Sequence, residues 1–80
     1  MKLYKYNNRC NISGLNIRKY REAAKMSQEQ LASSLQLLGL DLTQKAVSRT
    51  ETGGRVVPDF ELCFFAKALQ VSVENLLKDE

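Results

Sequence analysis

The 80-residue chain has no histidine, one proline and two cysteines. Without histidine, and with Cys10 and Cys63 far apart in the chain, it has neither a four-ligand zinc site nor a disulfide framework. It also lacks a glycine-rich phosphate loop and a motif that exposes a nucleophile at a turn. These absences argue against an enzyme, and we expect no metal and no cofactor.

Long apolar runs are also missing. No stretch of about 18 apolar residues could form a transmembrane helix, and the polar N-terminus does not resemble a signal peptide. We therefore expect a cytoplasmic protein with two reduced thiols. Cys63 lies among apolar residues and is expected to be buried, whereas Cys10 lies among polar residues and is expected to be exposed.

The length and the 44% apolar content predict one small globular domain with a thin margin of stability. We divide the chain into a polar N-terminal tail, residues 1–11, and one domain, residues 12–80. Residues 1–58 carry ten basic and four acidic side chains, whereas residues 59–80 carry two basic and five acidic ones. A basic body is typical of a polyanion-binding surface, although many solvated surfaces are mildly basic.

Helical signals dominate, so the fold class is expected to be all-α with five short helices. Apolar residues recur at helical spacing over residues 13–25, and Ser27 with Gln30 forms a capping box at the start of a second helix. Its apolar stripe is Leu31, Ala32, Leu35 and Leu38. Gly39 is suited to end that helix.

The last three helices are bounded by further caps. Thr43 is expected to cap the third helix, which ends at the glycine pair 53–54. Asp59 is expected to cap the fourth helix, and Ser72 is expected to cap a short fifth helix. The fourth helix is the most apolar and is expected to be the central one. We interpret the aromatic residues as core, with Phe64 the one that could face outward: Tyr20, Phe60, Phe64 and Phe65.

The order and spacing of several motifs resemble the lambda-repressor-like helix-turn-helix family, which includes phage repressors, Cro proteins and XRE-type regulators. The motifs are IRKYR at 17–21, MSQEQLA at 26–32, LTQKAVSRTE at 42–51 and AKALQVSVENLL at 66–77. The resemblance covers residues 12–77. It implies a five-helix bundle whose third helix reads DNA. The stretch between residues 35 and 42 is longer than in the commonest members.

A recognition helix must be anchored on one side and polar on the other. Leu42 and Val47 are suited to anchor the third helix on the core. This orientation leaves four polar side chains outward as candidates for reading bases: Gln44, Lys45, Ser48 and Arg49. The alternative is an ordinary solvated helix face.

Phosphate contacts would position the protein. The resemblance implies a phosphate contact for Gln28, at the start of the second helix, where the helix N-terminus also attracts anions. Further candidates are Thr43, Arg55 and Lys25. The tail cations Lys2, Lys5 and Arg9 could follow DNA, but we expect a mobile solvated tail.

The resemblance also implies a structural salt bridge between Arg21 and Glu51, which would lock the third helix against the first. Two departures from the family pattern concern neighbouring positions. Thr50 replaces an aliphatic residue and is expected to weaken the anchoring of the third helix. Lys25 stands near a position where the family often has glycine.

We expect a regulator, most simply a repressor, that binds double-stranded DNA as a homodimer on half-sites about 34 Å apart. The candidate dimer surface is the fifth helix, with Val73, Leu76 and Leu77, although these residues could instead close the monomer core. The alternative function is a protein-interaction or antitoxin-like module on the same fold, with its partner on helices four and five.

Overall fold

The structure, a computed structural model, describes residues 5–79. Within this range the chain forms five α-helices: α1 Gly14–Ala23, α2 Gln28–Leu37, α3 Gln44–Thr52, α4 Asp59–Leu69 and α5 Val73–Leu76. The prediction of an all-α fold with five short helices is therefore confirmed. No helix in this range is long and apolar enough to cross a membrane. Lys2, assigned to the tail, lies outside the described residues.

Local hydrogen bonds set most of the helix starts. The Ser27 hydroxyl accepts from the backbone N–H of Gln30, and the Gln30 side chain accepts from the backbone N–H of Ser27, at 3.0 and 2.8 Å. Thr43 and Ser72 cap α3 and α5 in the same way, through one backbone N–H each. These three caps agree with the sequence prediction.

The start of α4 corrects one prediction. Pro58 occupies the N-cap position, Asp59 is the first helical residue, and no side chain accepts a capping hydrogen bond. Proline fixes its own φ near the helical value, so it suits the position at which a helix begins. The helix α4 therefore begins one residue earlier than expected. Asp59 instead places a negative charge in the first turn, where the helix dipole favours it.

The core lies where α1, α2, α3 and α4 meet, and α5 closes it. Its completely buried apolar side chains are Ile17, Leu31, Leu35, Val47, Phe65 and Leu76. Burial of Leu76 removes it from the candidate dimer surface, because its side chain completes the monomer core. Of the other two candidates, Leu77 is exposed and Val73 is partly buried.

The outer face of α4 corrects two further predictions. Phe60 is 57% exposed and Cys63 is exposed, although both were expected to be buried. They lie three residues apart and share the side of α4 opposite Leu62 and Phe65. Phe64, the residue expected to face outward, is partly buried against the core, as is Tyr20. Leu38 of the expected α2 stripe, the residue directly after the end of α2, is also exposed.

The long connection between α2 and α3 is packed rather than loose. Gly39 adopts a φ of +104°, which favours glycine, and the chain then turns inward. Leu40 and Leu42 are both buried, and the Gln36 side chain donates to the carbonyl of Leu42 at 2.9 Å. The connection therefore delivers the start of α3 to a defined place on the core.

The N-terminal segment also packs against the body. Cys10 and Arg9 are half-buried, and Arg9 hydrogen-bonds to the end of α3, so the expectation that Arg9 belongs to a mobile solvated tail is wrong. The exposed Tyr6 hydroxyl donates to Asp79 at 2.8 Å, linking the two ends of the described chain. This hydrogen bond and the negative charge of Asp79 raise the pKa of Tyr6, because they stabilise the protonated phenol.

Candidate nucleic-acid interface

The helix α3 has the orientation that the sequence predicts. Val47 is completely buried and Leu42 nearly so, and both face the core. The opposite side carries the four candidates for base reading: Gln44, Lys45 and Arg49 are exposed, and Ser48 is half-buried. One side of a nine-residue helix is thus anchored while the other offers amide, hydroxyl and cationic groups to solvent.

The polar residue Thr50 helps to anchor this helix. Its side chain is completely buried, and its hydroxyl donates to the carbonyl of Ala46 at 2.9 Å. The same hydroxyl accepts from Arg55 at 3.0 Å. The hydroxyl of Thr50 thus has partners on both sides and adds no unpaired polar group to the anchored side of α3.

An ion pair locks α3 against α1. The Arg21 guanidinium contacts the Glu51 carboxylate through Nε at 2.7 Å and Nη2 at 3.0 Å, with side chains 11% and 2% exposed. Arg21 also donates to the carbonyl of Met26 at 2.7 Å. The hydrogen bond to Glu51 raises the pKa of Arg21 against the opposing effect of burial, so the guanidinium stays charged.

Two glutamines extend this pair toward the exposed surface. Gln28 donates to the Glu51 carboxylate at 3.0 Å, and Gln44 donates to the Gln28 side-chain oxygen at 2.7 Å. A chain of hydrogen bonds thus runs from Arg21 through Glu51 and Gln28 to Gln44. The sequence analysis named both glutamines as candidates but did not predict that they are in contact. They lie 16 residues apart on different helices, and no local sequence pattern indicates a contact over that separation.

Most of the remaining candidates lie around a shallow depression beside α3. The residues that line this depression are Thr43, Lys45, Ala46, Arg49 and Arg55. Within it, Arg55 is already engaged with the Glu61 carboxylate, at 2.8 and 3.1 Å. Arg49 donates to the carbonyl of Gly54 at 3.0 Å. Arg55 is therefore the candidate whose charge is most fully compensated within the protein.

Lys25 lies apart from that depression, in the turn between α1 and α2. Its side chain is exposed, and its φ of +58° is the left-handed conformation that glycine adopts most readily. The backbone thus explains why the family often has glycine near this position. Lys5 is exposed, and Arg9 faces the body of the protein.

Comparison with known protein families identifies one that matches this chain. The helix-turn-helix domain family matches residues 14–77, which include all five helices and each candidate for reading bases or binding phosphates except the tail cations. The match is consistent with the resemblance to lambda-repressor-like regulators, and it indicates a DNA-binding regulator in a family that is not enzymatic. The comparisons with curated proteins and with solved structures found no match. The chain belongs to the helix-turn-helix domain family.

Proposed function

We propose that this protein is a sequence-specific transcriptional regulator, acting as a repressor, that reads the major groove of double-stranded DNA with α3. The observation that carries the proposal is the division of α3 into two sides. Val47 and Glu51 are buried against the core, whereas Gln44, Lys45 and Arg49 are exposed together on the other side. The major groove admits an α-helix, and these side-chain types match the hydrogen-bonding edges of bases.

The hydrogen bonds of Gln44 leave it equipped for adenine. One of its two amide protons is used on Gln28, so the second proton and the side-chain oxygen stay available. A donor and an acceptor side by side are what adenine requires for a bidentate contact. Lys45 and Arg49 are suited to guanine in the same groove, and Ser48 to either base.

Phosphate contacts are assigned to the flanks of this surface. Gln28 is the first residue of α2, and one of its amide protons stays free after the bond to Glu51. Thr43 caps α3, so a phosphate near it would also meet the positive end of that helix. Lys25 supplies an exposed charge. Arg55 would act mainly by holding the α3–α4 loop, since Glu61 compensates its charge.

Useful affinity would come from two copies. A single domain of this size contacts few phosphates, so we propose a homodimer on half-sites about 34 Å apart. With Leu76 in the core, the candidates left for the contact are Val73 of α5 and Leu77, which follows α5 directly. Sedimentation at micromolar concentration, with and without operator DNA, tests the dimer, and a strict monomer in both conditions would contradict it.

The experiment that tests DNA reading is selection of bound sequences from random duplex DNA, followed by titration across salt. We expect a defined site and an affinity that falls steeply with salt, with a log–log slope near 0.9 for each phosphate contacted. Lys45→Ala should cost about 1–3 kcal/mol and relax the preference at one base pair. Lys67→Ala, which removes an exposed lysine from α4, is the matched control and should leave the preference unchanged.

A second candidate function is a protein-interaction or antitoxin-like module on helices α4 and α5. The observation that favours it is that a large apolar side chain is exposed at each of these helices, Phe60 on α4 and Leu77 directly after α5. Binding through apolar side chains would be nearly indifferent to salt. A chain that selects no DNA sequence and binds duplexes only weakly would favour this second function.

A further inference from the structure

Three residues that precede the first helix cross the C-terminal end of α3, and we call residues 9–11 the strap. Arg9 Nη2 donates to the carbonyl of Glu51 at 2.7 Å, and Asn11 Nδ2 donates to the carbonyl of Thr50 at 3.1 Å. The backbone N–H of Cys10 donates to the carbonyl of Gly53 at 2.8 Å. Carbonyls in the last turn of a helix lack the usual partners within the helix, so the strap supplies hydrogen bonds to this end of α3. The Thr50 carbonyl also has a second donor, the backbone N–H of Gly53 at 3.2 Å.

The amide of Asn11 is used completely. Besides the bond to Thr50, its Nδ2 donates to the carbonyl of Arg55 at 2.7 Å, and its Oδ1 accepts from the backbone N–H of Gly14 at 2.8 Å. One side chain therefore joins the end of α3, the loop that follows it and the start of α1. Arg9 adds a positive charge at the C-terminus of α3, where the helix dipole favours it.

Two glycines make room for this contact. Gly53 has a φ of +84°, and a Cβ there would lie 2.8 Å from the guanidinium carbon of Arg9. A Cβ at Gly14 would overlap the carbonyl oxygen of Thr50 and lie 2.7 Å from Asn11 Oδ1. The close approach of the strap, α1 and α3 is thus built into the chain at both sides of the contact.

We propose that Arg9 and Asn11 are positioning residues for DNA reading, and that the DNA-reading unit begins at Arg9 rather than at Gly14, where the family match begins. This inference rests on the proposed function of α3. A helix of nine residues is not stable alone, so its direction depends on what holds its two ends. Base contacts tolerate displacements of only about 0.5 Å, so a loosened C-terminal end would misplace the side chains that read bases.

The test compares two asparagines whose side chains each donate to a carbonyl at the end of a helix, Asn11 at α3 and Asn16 at α5. Asn11→Ala removes the bond to the end of α3, together with those to Arg55 and Gly14, without changing the charge. Asn16→Ala is the matched control, because Asn16 donates to the carbonyls of Leu76 and Lys78 at 2.9 and 2.7 Å and so holds the end of α5. Circular dichroism gives the Tm of each variant, and binding is measured well below both.

The readout is the ratio of affinities for a single selected half-site and for a scrambled duplex of equal length, by fluorescence anisotropy, so that a change at the proposed dimer contact does not enter it. We expect Asn11→Ala to lower this ratio about tenfold, the size of effect that one lost base contact produces, and Asn16→Ala to leave it within about twofold. Both variants should lower Tm. A purely structural strap would lower Tm while the ratio keeps its wild-type value, and that result would overturn the proposal.

A milder variant keeps the test decisive if Asn11→Ala does not fold. Arg9→Lys retains the charge but loses the guanidinium fork that reaches Glu51, and it should also lower the ratio more than Asn16→Ala does. An unchanged ratio in Arg9→Lys would then overturn the proposal. If the wild-type chain shows no preference for any duplex, the proposed function and the strap proposal both fail. If the wild type discriminates and the strap variants discriminate equally well, the strap proposal alone fails.

Discussion

The two ends of α3 are held by different kinds of hydrogen bond. At the N-terminal end, the Thr43 hydroxyl caps the helix and the Gln44 side chain bonds to Gln28, and Thr43 and Gln44 are exposed. At the C-terminal end, backbone carbonyls of Thr50 and Glu51 accept from Asn11 and Arg9 in a partly buried contact.

This difference separates an adaptable end from a fixed one. An exposed side-chain hydrogen bond exchanges with water, or with a base or phosphate, at small net cost. A buried carbonyl or carboxylate that loses its partner stays unpaired, which costs more. We therefore expect the larger losses of stability from changes at the C-terminal end of α3, and a loss of DNA binding with little loss of stability from a change to the exposed Gln44 at its N-terminal end.

The largest effect is expected from Glu51→Ala, which breaks the fixed end. It leaves the Arg21 guanidinium largely buried without its partner, and losing one member of a buried pair costs about 3–5 kcal/mol. Urea denaturation measures the loss. Glu22→Ala is the control, because Glu22 pairs with Arg18 in an exposed contact worth about 0.5 kcal/mol or less. Equal losses in the two variants would contradict the comparison.

Next in size is Gln44→Ala, at the adaptable end. The affinity for the selected site should fall by about 1–3 kcal/mol and the preference for one base pair should relax, while Tm changes little. Lys25→Ala, which removes an exposed lysine assigned to a phosphate, should instead weaken selected and scrambled duplexes alike, because a phosphate contact carries no sequence information. Competition titrations against a panel of single-base variants measure both. A large loss of Tm in Gln44→Ala would contradict the comparison, because it would show that Gln44 contributes to stability as the C-terminal end of α3 does.

Thr43→Ala should have a smaller effect on stability. Loss of an N-cap typically costs about 1 kcal/mol, which corresponds to roughly 4–8 °C in Tm for a domain of this size. Thermal denaturation followed by circular dichroism measures the change. Thr43→Ser keeps the hydroxyl that accepts from the backbone N–H of Ala46 and should stay close to wild type. If the serine variant lost as much as the alanine variant, the cap would not be the cause.

The smallest expected effect is a gain in stability. Lys25 and Gln70 both have a left-handed φ, 58° and 57°, and glycine at either place should stabilise the chain by about 0.5–1 kcal/mol. Both variants should raise Tm in thermal denaturation. Only Lys25→Gly should also reduce the salt slope of DNA binding, by about 0.9, if Lys25 contacts a phosphate. Identical slopes in the two variants would remove Lys25 from the proposed DNA surface.

The predictions that succeeded depend on short stretches of chain. Ser27 and Gln30, or Thr43 and the helix after it, lie within a few residues of their partners, so their spacing alone indicates the cap. Phe60 was misassigned, and Leu76 was left open between the core and the dimer surface, for the opposite reason. Phe60 lies between Asp59 and Glu61, and Leu76 lies beside Leu77 at the end of a four-residue helix, and neither local pattern says which side chain meets the core.

The sequence by itself determined five helices, most of their ends, the inward side of α3 and, through the family resemblance, the pairing of Arg21 with Glu51. Only the tertiary structure decided that Gln28 holds Gln44 and that Arg9 and Asn11 close the far end of α3. Helix signals are local, since the backbone bonds residues three or four apart. Contacts between helices join residues as distant in the sequence as Asn16 of α1 and Leu76 of α5, 60 positions apart, and their geometry is set by how the whole core packs.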